Sequence, residues 1–277
     1  MPLVSVVMSV FNAEEFVGKA IESILNQTFN DFEFIIVNDG SVDGTPDILE
    51  KYGKNDKRIK IITHENKGLT KCLNIGINNS SGEYIARQDA DDFSYPERIE
   101  VQVNAFENDS SLILLGTRAI INIKGFMYES PLYTDTEITN KITKYNIFVH
   151  SSVMFRRSEF MKIGMYNELY KTAQDYEAWM RLSGYGKLSI LDRVLVERTV
   201  RKNSISNKKM LFQCYNGYKI RRPYIPLILN NPVELLIYDK KKGHQIILNL
   251  GGYLKPDLQG CHLINLAESD ISPQKNY

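Results

Sequence analysis

Asp89, Asp91 and Asp92 put three carboxylates within four residues, just past a strand expected from Glu83 to Arg87. Crowded at a strand end they repel one another, and contact with a divalent cation keeps all three ionised. Oxygen ligands of this kind favour Mg2+ or Mn2+, and a diphosphate could complete the shell. A plainer reading also stands: Asp92 complements the positive end of a helix starting near Pro96 while the other two face water. Asn38-Asp39-Gly40-Ser41 follows an apolar run. Alone it is an ordinary turn sequence, because Asn, Asp and Gly satisfy or relax local backbone. Farther along, Gln174-Asp175-Tyr176-Glu177 supplies two carboxylates to the first turn of a helix, where acidic residues complement the dipole. Two positions on a helix differ by roughly 200°, so Asp175 and Glu177 cannot both point into one site. His150, a lone histidine beside a strand, is read as structural before it is read as functional.

The elements that must hold these groups are legible in the first third of the chain. Val4 to Phe11 is almost continuously apolar and valine-rich, as a strand covered on both faces would be. Asn12 with Glu15 has the spacing of a capping box, and Phe16, Ala20, Ile21, Ile24 and Leu25 recur with helical spacing. Phe32 to Val37 predicts a second strand, followed by a helix opened by Thr45-Pro46 and closed by Gly53. Arg58 to Thr63, Gly68 to Asn79 and Glu83 to Arg87 give strand, helix, strand. This alternation implies an open, mostly parallel sheet with flanking helices and right-handed crossovers. Ligands then bind beyond the carboxyl ends of the strands, where Ser9 to Asn12, Asn38 to Ser41 and Gln88 to Asp92 would share one crevice.

After Ser94 the rhythm loosens. A helix carrying Ile99, Val103 and Phe106, strands at Leu112 to Gly116 and Val153 to Arg156, a helix from Gln174 to Ser183 and strand-rich residues 187 to 200 are expected. Beyond residue 206 the pattern is helical and aromatic, and the prolyl, apolar stretch from Tyr224 to Tyr238 reads as a packing surface or peripheral membrane contact.

Composition excludes several classes. Lys and Arg number 34 against 33 Asp and Glu, which leaves no basic field for nucleic acid. Cys72, Cys214 and Cys261 lack zinc spacing and read as reduced thiols of a cytoplasmic protein. The first residues lack a basic region and a cleavage site, and no window reaches the ~18 to 20 apolar residues of a membrane span. No P-loop, dinucleotide fingerprint, H-E-x-x-H motif or nucleophile triad occurs.

Taken in order, Val4-Ser-Val-Val-Met-Ser-Val-Phe-Asn12, Gln27-Thr-Phe29, Val37-Asn-Asp-Gly-Ser41, Asn66-Lys-Gly-Leu69, Ser81-Gly-Glu-Tyr-Ile85 and Asp89-Ala-Asp-Asp92 resemble successive blocks of the family-2 glycosyltransferases. His150-Ser-Ser-Val-Met-Phe-Arg-Arg157, Gly164-Met-Tyr-Asn167 and Gln174-Asp-Tyr-Glu-Ala-Trp-Met-Arg-Leu182 resemble their acceptor-side half, so the likeness spans roughly residues 3 to 206. It implies the GT-A nucleotide-diphospho-sugar transferase fold over residues 1–205, with a nucleotide-binding half at 1–93 and an acceptor half at 94–205. Residues 206–277 would form a short C-terminal helical extension. Position by position, it places Ser9 and Phe11 in the nucleoside pocket, Asp39 on the base and Lys71 near the nucleotide. Asp91 becomes the ligand of Mn2+ or Mg2+, Asp89 a partner of the ribose or of a metal-bound water, Asp92 a contact of the donor sugar, and Asp175 the catalytic base.

The implied reaction is inverting, non-processive transfer from a nucleoside-diphosphate sugar, with uridine preferred, to a saccharide or lipid-linked acceptor at the inner face of the membrane. One stretch departs from the pattern: where many relatives carry a histidine, this chain has Arg201, whose charged guanidinium suits diphosphate oxygens better than a metal. Two rivals remain. A sugar-nucleotide nucleotidyltransferase would need a glycine-rich loop after the first strand, which Ser9-Val-Phe-Asn-Ala-Glu-Glu15 lacks. A non-catalytic binding module would share the fold without needing both Asp91 and Asp175.

Overall fold

The computed structural model describes residues 1–123, 125–200, 210–222, 234–239 and 244–249. Arg201, residues 224–233 of the apolar stretch and Cys261 lie outside the described residues. The chain divides into two units, Met1–Asn216 and Gly217–Tyr277.

In the first unit the central strand is β1 (Val4–Val10), whose β-branched residues suit a pleated surface covered on both faces. It pairs in parallel with β2 (Phe32–Asn38) and, on its other side, with β4 (Tyr84–Asp89). β3 (Ile59–Thr63) lies outside β2, also parallel. The crossovers are α1 (Val17–Leu25), α2 (Thr45–Asn55) and α3 (Leu69–Asn78). Side chains alternate between the faces. Val4, Val6, Met8 and Val10 pack with Ile21, Ile24 and Leu49, and with Ile99, Val103 and Phe106 of α4 (Arg98–Asn108). On the other face Ile35 and Val37 pack with Cys72 of α3. α3 crosses β1 closely: a Cβ on Gly76 would stand 2.5 Å from Val7 Cγ1.

Two local expectations are corrected. Asn12 and Glu15 do not cap α1, which starts at Val17. Instead Asn12 Oδ1 accepts from Val42 N at 2.9 Å and Glu14 Oε2 from Gly44 N at 2.6 Å, so these residues tie the first crevice loop to the second. Gly53 does not end α2; it lies inside it, where a Cβ would meet Ile61 Cδ1 at 2.6 Å.

Beyond β4 come β5 (Phe93–Ser94), α4, β6 (Leu112–Ile123), β7 (Phe126–Glu129), α5 (Asp135–Ile142), a 3-10 turn at His150–Ser152, β8 (Met154–Arg156), α6 (Arg157–Lys162), α7 (Gln174–Leu182) and β9 (Lys187–Val200). The order across the sheet is β3-β2-β1-β4-β8-β6-β9-β5, with β7 hung on β6. β8 is antiparallel to both β4 and β6, β5 is antiparallel to β9, and β6 and β9 run parallel. The sheet is therefore parallel over its first four strands and mixed beyond them, open at both edges, with helices on its faces. This is the GT-A fold. Among the described residues no helix is long and apolar enough to cross a membrane.

Helix α8 (Met210–Arg221) carries the chain across the division between the units. The second unit adds to its helical residues an antiparallel pair, β10 (Glu234–Asp239) and β11 (His244–Asn249), in the register Glu234 to Asn249.

Candidate active site

The strand order reverses at β1, between β2 and β4, and that switch point opens a crevice at the carboxyl ends. Register fixes which side chains share it. Ser9 stands beside Val37 of β2 and Asp89 of β4, so all three present to the α3 face. Phe11, just past β1, is half exposed. Asp39 is buried, and its carboxylate is oriented at the mouth of α3: Oδ1 accepts from Lys67 N at 2.6 Å and Oδ2 from Gly68 N at 3.0 Å. Gly68, at φ +88°, takes a backbone turn that a side chain would strain. Beneath Asp39, His64 Nδ1 lies 3.7 Å from Oδ1, and Cys72 Sγ lies 3.7 Å from His64 Nε2. Burial and the Asp39 carboxylate push the Cys72 thiol up to about 12. Lys71, on the first turn of α3, extends toward Glu168 with Nζ 4.0 Å from the carboxylate.

The acidic loop is held by residues to which the sequence reading gave no role. Gln88 Nε2 donates to Asp92 O at 2.8 Å, and its Oε1 accepts from Ser94 Oγ at 2.7 Å, which pins the loop at both ends. Arg87, buried in a central strand, donates to the Asp89 carboxylate. Against the opposing effect of burial, Arg87 first and Arg198 as well hold that carboxyl below its ordinary range. Asp92 is buried, its Oδ2 taking the Ser151 hydroxyl and its Oδ1 accepting from Thr199 N at 3.1 Å. Burial first, then the charges of Asp89 and Asp91, raise Asp92 to about 8. A hard divalent cation beside Asp91 would offset the repulsion that Asp89 and Asp91 exert on Asp92 and let Asp92 ionise as well. Asp91 itself is half-buried.

On the opposite wall, α7 starts after Ala173, whose φ of +56° turns the chain into the helix. Trp179, fully buried, packs among Phe155, Phe160, Tyr166 and His150, with ring centroids 5.8 to 6.2 Å away, and so fixes the rotation of α7. The two candidate carboxylates then part as the ~200° separation requires. Asp175 Oδ2 accepts from Asn146 Nδ2 at 2.7 Å and stays partly exposed. Glu177 is buried in a two-point pair with Arg181, at 2.8 and 2.7 Å, and Arg181 also holds the carbonyls of Ile163 and Met165. Glu177 is a strut.

His150 joins the two walls. Its Nε2 and the Tyr166 hydroxyl are 2.9 Å apart, and both groups feel the charges of Asp175 and Asp89. Burial and Arg87 push the imidazole down to about 4, so it is neutral at pH 7. α3 binds the walls from the other side: Asn74 exchanges hydrogen bonds with the Tyr166 backbone at 2.8 and 3.1 Å, and Thr70 Oγ1 donates to Tyr170 O at 2.9 Å. Sequence reasoning placed Gln88 at the crevice without a role of its own and gave none to Arg87, Asn146, Ser151 or Arg198. An arginine placed in the strand straight after the apolar Tyr84-Ile85-Ala86 was the one signal on offer. Gln27, part of a recognised block, proves architectural: its amide links Tyr95 O and Ile99 N at 2.9 and 3.0 Å.

With this geometry in view the chain can be placed among known proteins. The glycosyl transferase family 2 model matches residues 5–164. An uncharacterised glycosyltransferase of Haemophilus influenzae is 33% identical over 272 residues, covering 90% of this chain and 84% of that protein. The chain belongs to glycosyl transferase family 2. A chondroitin synthase of Escherichia coli is 29% identical across 79% of the chain, which spans 32% of that protein's length. Among solved structures, S. aureus TarS 1-349 in complex with UDP-GlcNAc superposes with a TM-score of 0.64 at 21% identity, covering 82% of this chain and 66% of TarS 1-349. The mannosyltransferase PcManGT of Pyrobaculum calidifontis, in complex with GDP-Man and Mn2+, gives 0.63 at 14% identity, covering 83% and 66%.

Proposed function

We propose that this glycosyltransferase is inverting and non-processive, moving one sugar from a nucleoside-diphosphate donor, by preference a UDP-sugar, to a hydroxyl of a saccharide or lipid-linked acceptor. The observation that carries this reading is the pairing of two walls about His150. One bears the acidic loop on the donor side, and the other bears a single oriented, partly exposed carboxylate, Asp175. Residues 1–93 then bind the nucleotide and residues 94–205 receive the acceptor. Ser9, Phe11 and Asp39 line the nucleoside pocket, Lys71 approaches the diphosphate, Asp89 takes the ribose, and Asp92 shapes the sugar subsite. Asp91 holds Mn2+ or Mg2+, which when bound supplies charge stabilisation to the departing diphosphate. Asp175 takes the proton from the acceptor oxygen as that oxygen attacks the anomeric carbon from the face opposite the leaving group, which inverts the configuration. Neutral His150 neither competes for that proton nor adds charge. Support for the donor comes from the UDP-GlcNAc and GDP-Man complexes of its structural neighbours, and for a polysaccharide product from the chondroitin synthase. The exposed side chains of Phe126, Met127 and Tyr128 on β7 offer the acceptor half a surface for a lipid-linked substrate near a membrane.

The test is a panel of sugar nucleotides incubated with Mn2+, read as nucleoside-diphosphate release with and without acceptor. UDP-sugars should turn over, and Asp91→Ala or chelation should weaken UDP binding by calorimetry. Equal affinity with and without metal would remove Asp91 from its role.

A further inference from the structure

The nucleoside end of the crevice contains a second set of ligand atoms of different chemistry. Asp39, His64 and Cys72, from the ends of β2 and β3 and from α3, each bring one ligand atom into a group lying within 4.8 Å. Spacing in the sequence gives no hint of it, and Cys72 taken alone is an ordinary buried thiol. The histidine is already set for ligation. Glu65 O lies 2.7 Å from His64 Nδ1 and can only accept, so Nδ1 carries the proton and Nε2 offers its lone pair. That tautomer, anchored through a backbone carbonyl, is the usual support for a metal-binding imidazole.

The separations suit coordination. With bonds of ~2.3 Å to sulfur and ~2.0 Å to nitrogen, the sulfur–nitrogen edge of a tetrahedron is about 3.5 Å. Cys72 Sγ and His64 Nε2 stand 3.7 Å apart. Asp39 spends one lone-pair direction on each oxygen in taking the Lys67 and Gly68 N–H groups, and the others remain available while those bonds fix its orientation. A sulfur, a nitrogen and an oxygen select a borderline-soft dication such as Zn2+, whereas the all-oxygen loop of Asp89, Asp91 and Asp92 selects Mg2+ or Mn2+.

We infer that Asp39, His64 and Cys72 form a zinc-class cation site overlapping the nucleoside pocket, so that a soft divalent ion and the donor nucleotide exclude one another. Binding forms a sulfur–metal bond as the thiol proton leaves to water, with no change of oxidation state. Only the exclusion of donor rests on the proposed role of Asp39; the site itself does not.

Titration of the full-length chain with Co2+ and Zn2+ tests both parts. Co2+ should give a thiolate-to-cobalt charge-transfer absorption saturating at one ion per chain, retained in the Cys214→Ser, Cys261→Ser double variant and lost in Cys72→Ser. His64→Gln should weaken Zn2+ binding on the order of tenfold or more. Saturating Zn2+ should weaken UDP binding to the parent and not to Cys72→Ser. An absent band in the parent, or equal Zn2+ affinity in parent and Cys72→Ser, overturns the site. A normal band with UDP affinity indifferent to Zn2+ overturns the overlap. Failure to bind UDP even without zinc sinks the donor reading, and the cobalt spectrum still decides the site.

Discussion

Along β1 to β4 the candidate residues other than Lys71 sit at or just past the ends of their own strands, and, Asp92 apart, supports for them lie near by in the same parallel layer. Ser9 is the last residue but one of β1, Asp39 follows β2 and is held by the turn into α3, and the acidic loop starts at the last residue of β4 and is pinned by Gln88. From β5 to β9 the reverse holds. β8 inserts antiparallel between β4 and β6, β5 pairs with β9, Asp175 is oriented by Asn146 from before the 3-10 turn, and Asp92 is closed over by Thr199 of β9. The donor wall is a repeated local device, whereas the acceptor wall is an assembly of distant segments. Substitutions in the first should act on nucleotide binding, and substitutions in the second on transfer.

The largest effect should come from Asp175→Asn, which keeps size and the bond to Asn146 but removes the base. Transfer should fall by ~10² to 10⁴ with UDP affinity unchanged by calorimetry. Asn146→Ala leaves the base in place but unanchored, and should slow transfer by about tenfold, the worth of one hydrogen bond. A loss as deep as that of Asp175→Asn would make Asn146 part of the chemistry and blur the contrast between base and support.

Glu177→Ala probes the other carboxylate of the same helix. It strands Arg181 beside the Ile163 and Met165 carbonyls, and should lower unfolding free energy in urea by about 1 to 3 kcal/mol. Transfer per folded molecule should stay near normal. If instead the folded variant were inactive, Asp175 and Glu177 would have to exchange roles.

In the donor wall, Asp39→Ala removes the acceptor of two backbone N–H groups and the proposed contact to the base. UDP affinity should fall by about 1 to 2 kcal/mol whether or not metal is present, while turnover at saturating donor changes little. Metal dependence of that loss would mean that the two ends of the crevice are coupled rather than separate.

The smallest effect belongs to α5. Thr134 and Glu137 form a reciprocal capping box at 3.0 and 3.3 Å, and Lys141, followed by the Thr134 backbone and hydroxyl, holds the Glu137 carboxyl down to about 2 from an ordinary 4.5. A lowered folded-state value stabilises the protein above pH 4.5, and that contribution is lost as pH falls toward about 2. Glu137→Gln should therefore melt slightly lower than the parent at pH 7. The gap should close on acidification, and one that widened would contradict the sign.

The sequence by itself determined the strand and helix alternation, the switch-point crevice and the acidic loop, because hydrophobic period and turn chemistry are properties of neighbouring residues. It could not distinguish Asn12 with Glu15 from Thr134 with Glu137, two pairs of the same spacing of which only the second caps a helix. Asn12 and Glu14 are claimed by the Ser41 to Gly44 turn instead, a contact that exists only once β1 and β2 lie side by side. The two carboxylates of α7 were likewise equivalent until Trp179, buried among rings from β8, α6 and the loop after it, set the rotation of the helix. Arg87 and His150 acquired their electrostatic parts, and Cys72 its neighbours Asp39 and His64, for the same reason. What a polar group does depends on what is packed against it once water is excluded, and for these residues the packing partners come from strands and helices far away in the chain.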